Sequence, residues 1–300
     1  MNIFCTGNIK KKKFFHILKG VIDTAVDFKH NIYFDKKINF KIADESFKKE
    51  YLNLYNNQVV EFNYNRIELV ICIGGDGSLI SIIRRMKENQ VPVLGIHIGN
   101  LGFLNQANIN NYQEIMNEVF SSVNFKFSSY NLINAYVDNA NNETEDFNLI
   151  ALNDIVVKHS DLLRLITMDI SIDTEYLNRY ASDGMIFSTP LGSTAYSLSA
   201  GGPIVLHEIN SIIITPISAH SLSARPIIID GDKEVKITFP LHNDRINIVA
   251  DGQIQKDINS NSIVVIKKSK IVAKLIKTDT MESYYSKLKS KIGWFGSNHK

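Results

Sequence analysis

The run Gly74-Gly75-Asp76-Gly77-Ser78 sets a single carboxylate inside a glycine turn, directly after the apolar stretch Leu69-Val70-Ile71-Cys72-Ile73. Glycines there permit backbone angles that a Cβ blocks and let phosphate oxygens approach main-chain N–H groups. A helix beginning near Ser78 would aim its positive end at the same point. A carboxylate in a phosphate cradle is repelled by its ligand unless it binds a metal or takes a proton from an attacking hydroxyl, so the pattern points to phosphoryl transfer. Taken alone it reads equally well as a surface turn, because Asp-Gly is common in tight turns.

A second cluster runs from Tyr180 to Pro203 and contains Gly192-Ser193-Thr194-Ala195-Tyr196-Ser197-Leu198-Ser199. Small hydroxyl residues and glycine open a helix near Ser193, which would offer free N–H donors to a nucleotide, and Tyr196 could present a flat ring there. A Ser/Thr-capped helix crossing a domain gives the same pattern.

The elements that must position these residues change character along the chain. Over residues 1–122 strand-like runs alternate with helical periodicity: Asn2–Cys5, a helix from about Lys13, Asn31–Phe34, a helix over Ser46–Tyr55, Leu69–Ile73, a helix over Ser78–Lys87, Val91–Ile98 and a helix over Tyr112–Phe120. Alternation of this kind predicts a Rossmann-like α/β domain with a parallel sheet, its ligands outside the carboxyl ends of the strands. One helical face is expected to carry Phe14, Ile17, Leu18, Val21, Ile22 and Ala25. Residues 123–276 read as an all-β, sandwich-like domain of short strands. Its candidates include Asn148–Lys158, Leu163–Asp173, Ser262–Ile266 and Ile271–Ile276, with an exposed hairpin loop at Asn139–Asp146. Residues 277–300 supply a C-terminal helix, Met281–Trp294, that packs back on the first domain.

Three hundred residues exceed the usual single core, and 44% apolar with 21% charged residues describes an ordinary globular chain. A formal charge of +2 leaves no electrostatic footprint for nucleic acid. The basic run Lys10–Lys13 precedes an apolar segment, but Lys19 breaks it and no cleavage pattern follows, so it reads as the basic start of a helix rather than a signal. No stretch is long enough to span a bilayer, so no membrane partner is expected. Cys5 and Cys72 read as reduced core residues of a cytoplasmic protein. No histidine has metal-ligand spacing, so no protein-held metal is expected; Mg²⁺ arriving on a nucleotide's phosphates is.

The two clusters together, with Asn100-Leu101-Gly102-Phe103-Leu104, Asn153-Asp154, His220-Ser221-Leu222-Ser223-Ala224-Arg225-Pro226 and Asp251-Gly252-Gln253 in order, resemble the NAD kinase family over nearly the whole chain. The glycine turn is shared with diacylglycerol-type lipid kinases; the Thr-Pro-x-Gly-Ser-Thr-Ala-Tyr block is the discriminating one. The resemblance implies transfer of a phosphoryl group from ATP to the 2′-hydroxyl of the adenosine ribose of NAD, giving NADP, by a homodimer or homotetramer whose substrate site lies between an α/β domain and a β-sandwich. It implies that Asp76 takes or orients the hydroxyl proton, that Gly75 and Gly77 leave room for phosphates, and that Phe103 packs on the dinucleotide. Asn153 and Asp154 would hold the adenosine part, Asp183 the nicotinamide side, and Thr194, Ala195, Tyr196 and Ser199 the pocket between. His220 either assists near phosphates or caps its turn, and Asp251 is either a ligand or part of a hairpin turn. Ala181 stands where many members carry a basic residue, which bears on the choice between NAD and NADH. A lipid kinase and a non-catalytic dinucleotide binder are the competing readings.

Overall fold

The structure, a computed structural model, describes residues 1–62, 66–99, 102–122, 124–138, 148–161, 164–240 and 245–293. The chain forms two units, one made of Met1–Ser129 with Ala273–Lys300, the other of Tyr130–Val272.

The first unit begins as the alternation predicts: β1 (Asn2–Gly7), α1 (Phe14–Asp27), β2 (Asn31–Asp35), α2 (Glu45–Gln58), β3 (Val59–Val60), β4 (Leu69–Gly74), α3 (Asp76–Met86), β5 (Val93–His97), β6 (Ala107–Asn108) and α4 (Tyr112–Ser121). The sheet runs β3-β2-β1-β4-β5, with β6 also on β5, and every pair is parallel. All six residues of β4 are buried, as a strand covered on both faces requires. The buried face of α1 is Phe14, Ile17, Leu18, Val21, Ile22 and Ala25, the set that its periodicity predicts.

Along the chain then follow β7 (Lys126–Asp138), β8 (Asn148–Ala151), β9 (Asp154–His159), β10 (Ile166–Ile172), β11 (Glu175–Ser182), β12 (Gly184–Ser188), α5 (Tyr196–Ser199), β13 (Ser211–Ile217), β14 (Ile227–Asp230), β15 (Val235–Thr238), β16 (Arg245–Ala250), β17 (Ile254–Asn259) and β18 (Ile263–Lys277), which make up the second unit apart from the outer ends of β7 and β18. Its antiparallel sheet β14-β13-β12-β9-β16-β17 faces β10, β15, β18 and their neighbours. Alternate residues from both layers, among them Ile155 and Val157, Met185 and Phe187, Ile166 and Met168, Val264 and Ile266, form one apolar core. The long strands β7 and β18 each begin in one unit and end in the other, which is why the division falls at 129/130 and 272/273 rather than at the change of texture. The last element, α6 (Tyr284–Ile292), belongs to the first unit.

Four local expectations differ. The Asn148–Lys158 run is two strands, because the backbone turns at Leu152-Asn153. The two runs after Ser262 are one strand: Ser269 is buried in mid-strand, while Lys267 lies near Glu234 and Lys268 pairs with Asp232, so the lysines ride outside. Strands β11 and β17 escape the pattern because they are edges with most side chains exposed. Finally, α3 starts at Asp76, not Ser78, and the glycines before it have no left-handed backbone: Gly75 has φ −102°. What Gly74 lacks is room, since a Cβ would lie 2.6 Å from Ser78 Oγ. The Asn139–Asp146 loop, Asn100, Leu101, Leu163 and Trp294 lie outside the described residues.

Candidate active site

Asp76 is the first residue of α3, and its carboxylate is held by one loop. Oδ2 accepts from Phe103 N at 2.8 Å and Leu104 N at 3.4 Å, while Oδ1 accepts from Asn105 Nδ2 at 2.6 Å. Gln106 fixes that loop to β5, its Oε1 accepting from Gly95 N at 2.6 Å and its Nε2 donating to Leu104 O at 2.7 Å. A carboxylate has about four lone-pair directions. Among the described residues three are used, which leaves one direction on Oδ1 for an incoming hydroxyl. His97, at the end of β5, lies beside Gly75 and is only 7% exposed. Burial lowers its pKa, against the opposing pull of Asp76.

Beside this turn a cavity of about 500 Å³ opens at the carboxyl ends of β1 and β4. Gly75, Gly77 and Ser78 line it together with Thr6, Lys10, Lys11, Lys37 and Arg85. Lys10 and Lys11, read in the sequence as the basic start of a helix, lie in the β1–α1 loop, because α1 begins only at Phe14, whereas Lys37 follows β2. Arg85 pairs with the fully buried Asp35, which also accepts from Thr6 Oγ1 at 2.7 Å and Lys37 N at 3.1 Å. Burial pushes the Asp35 carboxyl up, but these partners together hold it below its ordinary value. The cavity is therefore cationic at its rim, with α3's positive end among its walls, as an anion site requires. A dense basic run just after a strand was the legible signal for it.

In the second unit a cavity of about 650 Å³ gathers Asn153, Asp154, Asp183, Ala195, Tyr196 and Asp251 of the expected residues, with Lys158 and Gln255, which the sequence reading missed. Thr194, Ser199 and His220 are not among its lining residues. Thr194 Oγ1 bonds Leu191 O at 3.3 Å, Ser199 is exposed, and exposed His220 uses its backbone N–H on Ala181 O at 3.0 Å. Phe103 lies in the first unit, where its N–H serves Asp76.

Asp251 turns out to build the pocket. With φ +50° it shares the β16–β17 turn with Gly252, and its carboxylate accepts from Leu152 N at 3.1 Å, Asn153 N at 2.7 Å and Asp154 N at 3.2 Å. Those three bonds make the bend that separates β8 from β9. Gly192 closes on the same bend, where a Cβ would lie 2.1 Å from Asn153 O. At this bend Asn153 Oδ1 is buried without a hydrogen-bond partner among the described residues. Asp154 is 4% exposed, and its pKa is raised to about 7 by burial and then by the charge of Asp251, against a hydrogen bond from the Tyr196 backbone. The amide that opens α5 is thus spent on Asp154.

Comparisons with known proteins agree on both halves. Residues 7–123 match the ATP-NAD kinase N-terminal domain and residues 152–278 the ATP-NAD kinase C-terminal domain. The NAD kinase of Syntrophotalea carbinolica is 36% identical over 228 residues, covering 76% of this chain and 79% of that protein. Among solved structures, yeast NADH kinase complexed with NADH superposes with a TM-score of 0.78 at 22% identity, covering 100% of this chain and 89% of that one. An NAD kinase from Archaeoglobus fulgidus in complex with ATP gives 0.75 at 20% identity, covering 99% and 100%. Matched in both halves and in their order, the chain belongs to the NAD kinase family.

Proposed function

We propose that this NAD kinase uses Asp76 to take or orient the proton of the 2′-hydroxyl on the adenosine ribose of NAD while a phosphoryl group from ATP is transferred to that oxygen, giving NADP. The observation that carries this is the Asp76 carboxylate itself, fixed by three donors among the described residues, which leave one lone-pair direction, and next to a cationic cavity. Positioning and electrostatics supply most of the catalysis in phosphoryl transfer, so a preset carboxylate and preset cations are the parts needed.

The donor's phosphates are assigned to the first cavity, where Lys10, Lys11, Lys37 and Arg85 offset their charge and Thr6, Ser78 and Ser81 offer hydroxyls. The dinucleotide is assigned to the second. Asn153 Oδ1, buried and without a partner among the described residues, would accept from an adenosine donor group; Asp154 would hold a ribose hydroxyl; Asp183 would face the cationic nicotinamide. The bound NADH and ATP of the two solved relatives support these classes of ligand. No group of three metal-binding side chains exists among the described residues. Mg²⁺ fits instead as a counter-ion arriving on the donor's phosphates, where Ser78 of the cavity wall could offer a hydroxyl oxygen, and it would neutralise charge on the transferred group. A homodimer or homotetramer belongs to the same proposal, supported by apolar residues exposed on edge strands, Ile228 on β14 and Tyr176 on β11, and is checked by light scattering. So does a cytoplasmic location, supported by two buried free thiols; no described helix is long and apolar enough to cross a membrane.

The test is to incubate purified protein with Mg-ATP and NAD and couple the product to an NADP-specific dehydrogenase. Turnover is expected in the wild type. In Asp76→Asn a kcat lower by roughly two to four decades is expected, with NAD binding kept. No NADP from the wild type defeats the reading; near wild-type kcat in the variant removes Asp76 from the chemistry.

A further inference from the structure

The C-terminal helix α6 carries a lysine into the interior of the first unit. Lys287 is 8% exposed, although Lys289 and Lys291 on the same helix face solvent. Burying an ammonium is costly, and burial lowers its pKa against the favourable fields of Glu282 and Asp76, with Lys291 adding to the penalty. What the ammonium touches is the loop that holds Asp76: Nζ donates to the Asn105 carbonyl at 2.7 Å, and Asn105 Nδ2 donates to Asp76 Oδ1 at 2.6 Å. Asn105 is itself fully buried. The loop is therefore pinned from both sides, to β5 through Gln106 and to α6 through Lys287.

We infer that Lys287 is a positioning residue for Asp76, fixing Asn105 from the C-terminal helix and so setting the direction in which the remaining lone pair of Asp76 meets the acceptor hydroxyl. This rests on Asp76 being the acting carboxylate. Among the described residues Lys287 Nζ donates to one backbone carbonyl, in the first unit, so its loss acts on the geometry of the chemical step and not on how either substrate is held.

Lys287→Met keeps the stem and removes the donor. It is expected to lower kcat about tenfold, since small misplacements of a reacting group cost one to two decades, while KM for NAD and for ATP stays within about twofold of wild type. Lys287→Arg, which keeps a cationic donor, should recover the larger part of the loss. In an Asn105→Ala background Lys287→Met should add less than it costs alone, because part of its effect runs through the Asn105 side chain. Should Lys287→Met fail to fold, Lys287→Gln carries the same comparison. Asp76→Asn serves as the reference. If it is inactive while Lys287→Met keeps wild-type kcat, or loses activity through KM, or adds fully to Asn105→Ala, the positioning role is wrong and the Asp76 reading stands. If Asp76→Asn keeps wild-type kcat, both fall.

Discussion

A Cβ at Gly102 would lie 2.1 Å from Oδ2 of Asp76, a separation that side chains do not adopt. The backbone of the 102–106 loop reaches the carboxylate only because residue 102 has no side chain. Gly102→Ala must therefore displace either the loop or the Asp76 carboxylate, and either shift disturbs the bonds from Phe103 N and Leu104 N. Expected is a fall in kcat of about 10- to 100-fold with KM for NAD little changed. An unchanged kcat in the variant, or a loss that runs through KM for NAD instead, would show that the approach of the loop to Asp76 does not depend on residue 102.

Asp154 should make stability fall as pH rises toward neutrality. Its folded pKa, about 7, lies above the ordinary carboxyl value of 3.8. Such a carboxyl keeps its proton longer in the native state, so the native state loses ground between about pH 4 and pH 7 and the penalty levels off above. Asp154→Asn, which never ionises, should raise Tm at pH 8 more than at pH 4. A Tm difference between variant and wild type that is the same at both pH values would mean that Asp154 is ionised normally.

Lys10 and Lys11 should act on the donor alone. Replacing each with Gln removes a cation from the first cavity, and charge-assisted contacts to phosphate are worth about 1.5–3 kcal/mol. KM for ATP should rise by roughly 10- to 100-fold with KM for NAD nearly constant, and the dependence of KM for ATP on salt should flatten. Equal effects on both substrates in steady-state kinetics would place the lysines elsewhere.

Position 181 should tune the choice between oxidised and reduced dinucleotide. Ala181 is exposed on β11, two residues before Asp183, and its carbonyl accepts from His220 N. With no charge there, Lys158 is the cation that lines the pocket alongside Asp183. Relaxed discrimination is expected, with NADH phosphorylated measurably but below the NAD rate, and Ala181→Arg should change the ratio of kcat/KM for NAD and NADH. An unchanged ratio removes position 181 from the specificity argument.

Local periodicity is what the sequence by itself determined. The buried face of α1, the buried strand β4, the glycine turn after it and the alternating cores of both units follow from repeats of 3.6 and 2 residues, which depend only on near neighbours. The edge strands β11 and β17 lack that signal because neither face is fully covered. The chemistry around the motifs was decided by the tertiary structure. Asp76 draws its partners from 27 to 29 residues away, Asp251 bends the chain 97 to 99 residues away, and Lys287 reaches Asn105 across 182. A hydrogen bond between such distant residues, and the proton affinity of a carboxyl such as Asp154, depend on which groups the fold brings together and how much water it excludes, and no short window of sequence carries that information.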